Sequence, residues 1–402
     1  MNGIAASSIP TGPCEVTVAN RLPLGRYAVA GVGIGPTRRL PSGHSLLIVG
    51  PTQAGKTSSL VLPAVLSWPG ALVLTSVKHD VVATSLGWRS RLGAVQRLDP
   101  GEDSGLTWNP LEGVRGIRDG LRVASTMTLV GGRGDSEFWN ALATKLLGAL
   151  FTVAVATDRT IFDVARAVER RTWLQWDESA LGEELIGPFR AYDARTLDGV
   201  VTTVEAMVLP WRFPQPLATV RETVAGPNTL YLCSPRHEQR SYEPLFRGAL
   251  RMVLEEQQRR VDDGTAQPLL MVLDEAANVA SLDELDQMAA TVAGLDVTLV
   301  TVVQDFAQLR ARWGERAATI VNNHATRVVL GGLADPSVAT YLPELTTGTK
   351  DRPAAPLRLR PGGTALVVSG RAKVYAIRLR PWWRRRRLRH RGRVVPLDTL
   401  DA

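Results

Sequence analysis

Cysteine is nearly absent: 402 residues contain only Cys14 and Cys233. That excludes a disulfide framework and any Cys-rich zinc site. Cys233 stands in the apolar run "TLYLCS" and reads as a buried structural thiol. Long hydrophobic runs are missing too. The longest near-continuous one, residues 146–156, falls well short of the ~20 residues a membrane helix needs. The start, "MNGIAASSIPTGPC", has neither the basic n-region nor the apolar h-region of a secretory signal. These absences lead us to expect a cytosolic protein. Lysine is scarce as well, with five against 42 arginines. A GC-rich genome produces that bias by itself, so the number of arginines says nothing about nucleic-acid binding. No internal repeat is visible.

What is present is enough chain for two domains with real cores. Hydrophobic residues make up 45% of it, an ordinary share for a globular protein, so wholesale disorder is excluded. The net charge of +8 is unevenly placed. Residues 352–397 hold thirteen arginines, Lys373 and no acid, whereas residues 1–351 carry a net charge of −4. The body is mildly acidic and the end strongly basic.

Along the chain, residues 44–49, 71–76 and 95–98 read as strands, and 56–67 and 80–91 as helices, the second with Asp80 at its N-cap. Strand and helix alternate, which means βαβ units and a parallel sheet. Pro63 falls about two turns into the first helix and is expected to kink it. From 112 to 216 the strand signal disappears, and stretches such as "SEFWNALATKLLGALFTVAVA" carry apolar residues at helical spacing. Strands return at 229–233, 269–273, 297–303, 327–330, 364–368 and 374–379. The expected division is an N-terminal segment 1–43, an α/β domain built from 44–111 and 217–380, an all-helical insertion 112–216, and a basic tail 381–402.

The chemistry starts at Gly50-Pro51-Thr52-Gln53-Ala54-Gly55-Lys56-Thr57, which matches G-x-x-x-x-G-K-[ST] between a strand and a helix. Gly50 and Gly55 let the backbone wrap a phosphate with its N–H groups inward, at a helix N-terminus where the dipole favours anions. Lys56 would reach the β- and γ-phosphates of ATP and Thr57 would ligate Mg²⁺, with Ser58 completing the loop. Cleaving the γ-phosphate also requires an acid near the metal and a base near the attacking water. "LLMVLDEAAN" supplies both where a buried strand emerges: Asp274 for Mg²⁺, and Glu275 to orient and polarise the water. One helix-length on, "TLVTVVQDFAQL" ends a β-branched run in Gln304, whose amide could sense the γ-phosphate. No guanine-reading Asn-Lys-x-Asp is present, which argues against a GTPase. Small-molecule kinases seldom carry the Glu beside the Asp.

A phosphate loop, an Asp-Glu pair and a Gln on three strand ends resemble the RecA-like motor ATPases. The sequence is then similar, from about residue 40 to 380, to the type IV coupling proteins, the conjugative DNA-transfer ATPases of the TraG/TraD group. The resemblance is carried by "RLDPGEDSGLTWNPLEG", "SEFWNALATKLLGALF", "LYLCSPRHEQ", "LLMVLDEAANVASLDELDQM", "TVVQDFAQL" and "IVNNHATRVVLGG", in this order. It implies a RecA-like P-loop ATPase domain, a hexameric ring, and a helical insertion on the cytoplasmic side that helps receive relaxase-bound DNA. Partners implied are DNA, the relaxase or relaxosome, and the proteins of the secretion channel. Members usually begin with transmembrane helices, and no run of that length stands in this sequence. Many also carry a basic residue between the Asp-Glu motif and the next strand, where "TVAGLDV" offers none. Arg327, after "NNHAT", is then a candidate trans-acting arginine, against the plainer reading of a structural side chain.

The sequence thus points to an ATP-driven DNA translocase of the coupling-protein type. An ATP-gated adaptor that recruits protein substrates without pumping DNA, and a chromosomal DNA-processing helicase, are the alternatives. "PWWRRRRLRHRGR", residues 381–393, leaves three readings open: a solvated arginine-rich tail, contact with DNA phosphates, and peripheral contact with anionic lipid on the inner face of the cell membrane.

Overall fold

The computed structural model describes residues 21–394 apart from 30–31, 41, 77–78, 103–104, 129–134, 235–238, 280–281, 283–284, 333–362 and 371–372. Residues 1–20 of the N-terminal segment, with Cys14, and 395–402 of the tail lie outside the described residues. The chain opens with strands β1 (Leu22–Val29), β2 (Val32–Leu40) and β3 (Ser45–Val49). The phosphate loop follows and runs into a π-helical turn, Thr57–Val61, and helix α1, Leu62–Ser67. Pro63 sits at the start of α1 rather than inside a continuous α-helix. Leu62 N–H reaches back five residues to the carbonyl of Thr57, so the chain meets the proline with a widened turn instead of a simple kink. Next come β4 (Ala71–Ser76), α2 (His79–Arg89) and β5 (Val95–Leu98). Asp80 stands in the first turn of α2, inside the helix rather than at its cap.

Strands β6 (Thr107–Trp108) and β7 (Leu217–Ala218) pair in parallel and form the neck of the helical insertion. Between them run α3 (Ile117–Thr126), α4 (Asp135–Ala156), α5 (Ile161–Glu169), α6 (Ala180–Ile186) and α7 (Ala194–Val208). The rest comprises β8 (Thr229–Cys233), α8 (Gln239–Asp262), β9 (Leu269–Leu273), α9 (Ala276–Val279), α10 (Leu285–Thr291) and β10 (Val297–Val303). Then follow α11 (Phe306–Trp313), α12 (Arg316–Asn323), β11 (Thr326–Leu330), β12 (Thr364–Ser369), β13 (Lys373–Arg378) and α13 (Arg386–Arg391).

Among the described residues, eleven strands form one sheet in the order β2-β1-β13-β12-β11-β3-β10-β9-β4-β8-β5. From β11 to β5 every neighbouring pair is parallel, while β12, β13, β1 and β2 add an antiparallel wing. The sheet is mostly parallel, as the alternation of strands and helices implies. Residues 22–40, set apart above as an N-terminal segment, instead supply two of its strands. Parallel strands are buried on both faces and need continuous apolar runs, and alternation along them assigns each residue to a side. Leu47, Val49, Met271 and Leu299 pack in one core; Leu46, Ile48, Leu270 and Val300 pack in the other.

The first core holds the helical insertion together with α8; the second holds α1, α2 and the wing strands. At the neck Glu112 accepts hydrogen bonds from Trp108 Nε1 at 2.9 Å and from the Val220 amide at 3.0 Å, which locks the outgoing chain to the returning one. Arg122 of α3 pairs with Glu255 of α8. One helical window among the described residues, Glu137–Ala156, is long and apolar enough to cross a membrane by length and composition. It is longer than the uninterrupted apolar run in the sequence because the helix also includes polar positions. Its hydrophobicity has a local use, since 56% of the window is buried inside the protein, with Leu146, Leu147, Leu150 and Phe151 in the first core.

The basic end is not a free tail over its described length. Leu388 of α13 is buried, Arg385 Nη2 donates to the Ser59 carbonyl at 3.2 Å, and Arg391 Nη1 donates to the Leu66 carbonyl at 2.8 Å. The Arg391 guanidinium also lies 4.2 Å from the ring centroid of Trp88, a cation–π contact. The segment is docked on the helix that follows the phosphate loop.

Candidate nucleotide site

The phosphate loop leaves the C-terminal end of β3, in the middle of the sheet. Each motif glycine has its own reason to be glycine. A Cβ at Gly50 would lie 2.8 Å from Cβ of Leu330 on neighbouring β11, whereas Gly55 adopts φ +92, which side chains rarely tolerate. Gln53 is also left-handed, with φ 62. The Ala54 amide donates to the Pro51 carbonyl at 3.3 Å and the Ser59 amide to that of Gly55 at 2.9 Å. Lys56 is nearly buried; its Nζ donates to the carbonyl of Gly50 and, at 3.0 Å, to that of Pro51. The ammonium is therefore held within the curl of the loop.

Asp274 and Glu275 follow β9, two strands from β3 with β10 between them. Thr75 Oγ1 on β4 donates to the Asp274 carbonyl at 3.4 Å, fixing the chain as it leaves the sheet. Glu275 has φ 55, a left-handed backbone that costs a non-glycine residue about 1–3 kcal/mol. Strain of this kind persists where surrounding structure enforces it, and here it sits on the residue expected to polarise water.

A cavity of about 410 Å³ joins these parts. Its walls include Gln53, Gly55, Lys56, Thr57 and Ser58 of the loop, along with Asp274 and Glu275. Pro51 and Thr52 also line it, while Gly50 and buried Ala54 lie behind the loop surface. Two residues that sequence reasoning missed complete it, Ser76 at the end of β4 and Asp80 in the first turn of α2. The strand order explains their presence, because β4 flanks β9 on the side away from β10 and its C-terminal end opens onto the same crevice. The spacing "TSVKHD" carries no motif; only adjacency in the sheet reveals it.

Gln304 caps β10, between the loop strand and the acidic strand, but it is not in the cavity wall. Its backbone N–H donates to Gln308 Oε1 at 2.9 Å. Arg327 is committed elsewhere: it is nearly buried on β11, with Nε donating to the Val321 carbonyl at 2.9 Å and Nη2 to that of Asn322 at 3.1 Å. It neutralises the C-terminal end of α12, and burial lowers its pKa from the ordinary value. Those contacts favour the plainer reading of a structural side chain over that of a trans-acting arginine. Cys233 is buried on β8 as expected, and burial raises its thiol pKa well above normal.

A crevice at the carboxyl ends of parallel strands, lined by an anion-cradling loop with a cation and by three carboxylates, can hold a nucleoside triphosphate and a divalent ion. Comparison with known proteins agrees in architecture. A family model described as type IV secretory system conjugative DNA transfer matches residues 20–178, and one described as the TraM recognition site of TraD and TraG matches residues 268–352. Conjugal transfer protein TraG of Escherichia coli is 24% identical over 311 residues, covering 66% of this chain and 49% of its own. Protein VirD4 of Rhizobium radiobacter is 21% identical over 326 residues, 74% of this chain and 47% of its own. The chain thus spans about half the length of the curated relatives it matches. The bacterial conjugative coupling protein TrwBdeltaN70, in an unbound form, superposes with a TM-score of 0.69 at 16% identity over 91% of each chain. The plasmid coupling protein TrwB solved with ADP and Mg²⁺ gives 0.68 over 92% of each. The matched segments, the order of motifs and this RecA-like fold together place the chain in the type IV coupling-protein family.

Proposed function

We propose that the protein is an ATP-driven DNA translocase that links a relaxase–DNA substrate to a type IV secretion channel, working on the cytoplasmic side of the membrane. The observation that carries the reading is the single cavity shared by Lys56, Thr57, Asp274 and Glu275. Its donor set suits ATP and Mg²⁺: loop N–H groups and an ammonium for phosphate, a hydroxyl and a carboxylate for a hard cation. The TrwB structures with ADPNP and with ADP plus Mg²⁺ support the same assignment. Bound Mg²⁺ would offset charge on the phosphates.

In this reading Lys56 exchanges its loop carbonyls for phosphate oxygens, which discharges a buried cation against an anion. Thr57 and Asp274 would hold the metal, and Asp80 and Ser76 would contribute polar groups to the same cavity. Glu275 takes a proton from the attacking water, with its carboxylate aimed by the left-handed backbone. Gln304, on the strand between loop and acids, moves with β10 and reports the loss of the terminal phosphate to α11. The helical insertion receives the relaxosome, and a ring of six copies supplies the arginine in trans from a residue other than Arg327. The match to a TraM recognition site over residues 268–352 supports docking of an accessory protein beside the acidic motif.

The test is phosphate release measured with and without single- and double-stranded DNA, alongside mass in solution. Stimulation by DNA in a ring-sized species is the expected result. A slow rate indifferent to DNA would identify an ATP-gated adaptor instead.

A further inference from the structure

A second cavity, of about 570 Å³, opens at the antiparallel wing of the sheet, where β1 and β13 meet the C-terminal segment. Arg26, Arg378, Arg380, Arg384 and Arg385 lie in its walls, and among the described residues no aspartate or glutamate does. Four of the arginines come from residues 378–385 of the basic end, and Arg26 joins them from β1, far away in sequence. Five like charges around one concavity repel one another, and low-dielectric walls focus their field into the space between. The volume falls within the range of about 300–1,000 Å³ typical of ligand sites.

The tryptophan pair in "PWW" divides its work. Trp382 packs inward, so closely that a Cβ at Gly392 would come within 2.5 Å of its ring. Trp383 stands edge-on to it, ring centroids 5.8 Å apart at 86°, is 47% exposed, and lines the cavity. An exposed indole among guanidinium groups offers a stacking surface beside phosphate-binding forks, the combination that holds unpaired strands. Exposed arginines around a concavity, with Arg385 half-buried among them, suit a flexible strand that can bend into it rather than a flat lipid surface or a stiff duplex.

We propose that this arginine-lined cavity, with Trp383 in its wall, is a binding site for single-stranded nucleic acid, taking phosphodiester groups on the guanidiniums and a base on the indole. The inference rests on the DNA-translocase reading and deepens it by locating a strand contact. It also supplies a route to the ATPase. Arg385 both lines the cavity and donates to the Ser59 carbonyl, two residues beyond Thr57. Burial, and then the nearby charges of Arg380 and Arg39, lower the Arg385 pKa to about 10, so the side chain remains cationic at neutral pH. Phosphate drawn against Arg385 therefore pulls on the first turn of the helix that holds the nucleotide.

The experiment is fluorescence anisotropy of a labelled single-stranded oligothymidylate with the full chain, over a salt series. The variants are Trp383→Ala and Arg384→Gln, both at exposed positions outside the nucleotide cavity. Trp383→Ala should weaken binding roughly 5- to 150-fold, the worth of one stacked base. Arg384→Gln should reduce the slope of log K against log salt by about 0.7, one phosphate contact. Basal ATP hydrolysis should be unchanged in both, and its stimulation by the oligonucleotide reduced. If the wild-type protein binds the strand and both variants match it in affinity and salt slope, the cavity is not the site and the translocase reading survives. If the wild-type protein binds no DNA, the translocase reading falls and this inference with it. Loss of binding to phosphatidylserine vesicles with oligonucleotide affinity intact would overturn the proposal in favour of a membrane contact.

Discussion

The indole nitrogen of Trp211 donates to the carbonyl oxygen of Trp108 at 2.7 Å, and their rings lie 6.2 Å apart. These residues stand 103 positions apart, on either side of the helical insertion. Both are fully buried, so the bond closes the neck where the chain leaves the sheet domain and returns. Trp211→Phe keeps the ring but strands the carbonyl, which should cost ~1–3 kcal/mol. Gly248→Ala attacks the same joint from α8, because its Cβ would lie 2.1 Å from the Trp108 ring, and should cost about 1–3 kcal/mol by overpacking. Urea unfolding of the two variants tests this; wild-type midpoints would show that the neck does not hold the domains together.

Lys56→Ala should abolish ATP hydrolysis while the fold persists, because among the described residues no other cation lines the cavity. Steady-state phosphate release and circular dichroism check the two halves. Full activity in this variant would remove the phosphate-loop assignment.

The acid pair should fail in two different ways. Glu275→Gln keeps the metal site and loses the base, so it should bind ATP tightly and turn over slowly; Asp274→Asn should weaken Mg²⁺-dependent binding itself. Glu275→Gly should also lose turnover while gaining up to about 1 kcal/mol of stability, since glycine accepts φ 55 without strain. Equal nucleotide affinities in the first two variants would refute the division of roles.

Stability should fall in mild acid through His324. Its ring bridges the Ile320 carbonyl at 2.7 Å and Thr301 Oγ1 at 2.9 Å in a fully buried position, and burial lowers its pKa from 6.5 to about 4. A base with a depressed folded pKa binds its proton first in the unfolded chain. Its contribution is therefore complete above pH 6.5 and is lost as pH falls toward 4, roughly 3 kcal/mol in all. Denaturant titrations across this window should show the decline in wild type and a flatter profile in His324→Gln. Parallel profiles would remove His324 as the cause.

Much of the site was legible because its parts are contiguous. A loop that wraps phosphate must be written as consecutive residues, and Asp274 with Glu275 follow a five-residue buried strand, so spacing and apolarity suffice to locate them. Parallel strands buried on both faces left equally plain signals at β4, β8, β9 and β10. Asp80 and Ser76 were not legible as site residues, because what brings them to the cavity is the placement of β4 beside β9. Arg327 shows the converse limit: its charge is visible in sequence, whereas its commitment to the carbonyls of α12, which separates a structural arginine from a trans-acting one, is a tertiary fact.

The sequence by itself determined the alternation of strands and helices, the cradle at Gly50 to Ser58, the acid pair and the helical character of the insertion. Each depends on neighbours within one turn or one strand. Tertiary structure alone decided the strand order that turns three strand ends into one crevice. It also joined residues 22–40 to the sheet and sent the arginine-rich end back onto the phosphate-loop helix. Arg385 and Ser59 are separated by 326 positions and meet at 3.2 Å. Local patterning carries no information about such a meeting, which arises only when the two cores are packed on opposite faces of one sheet.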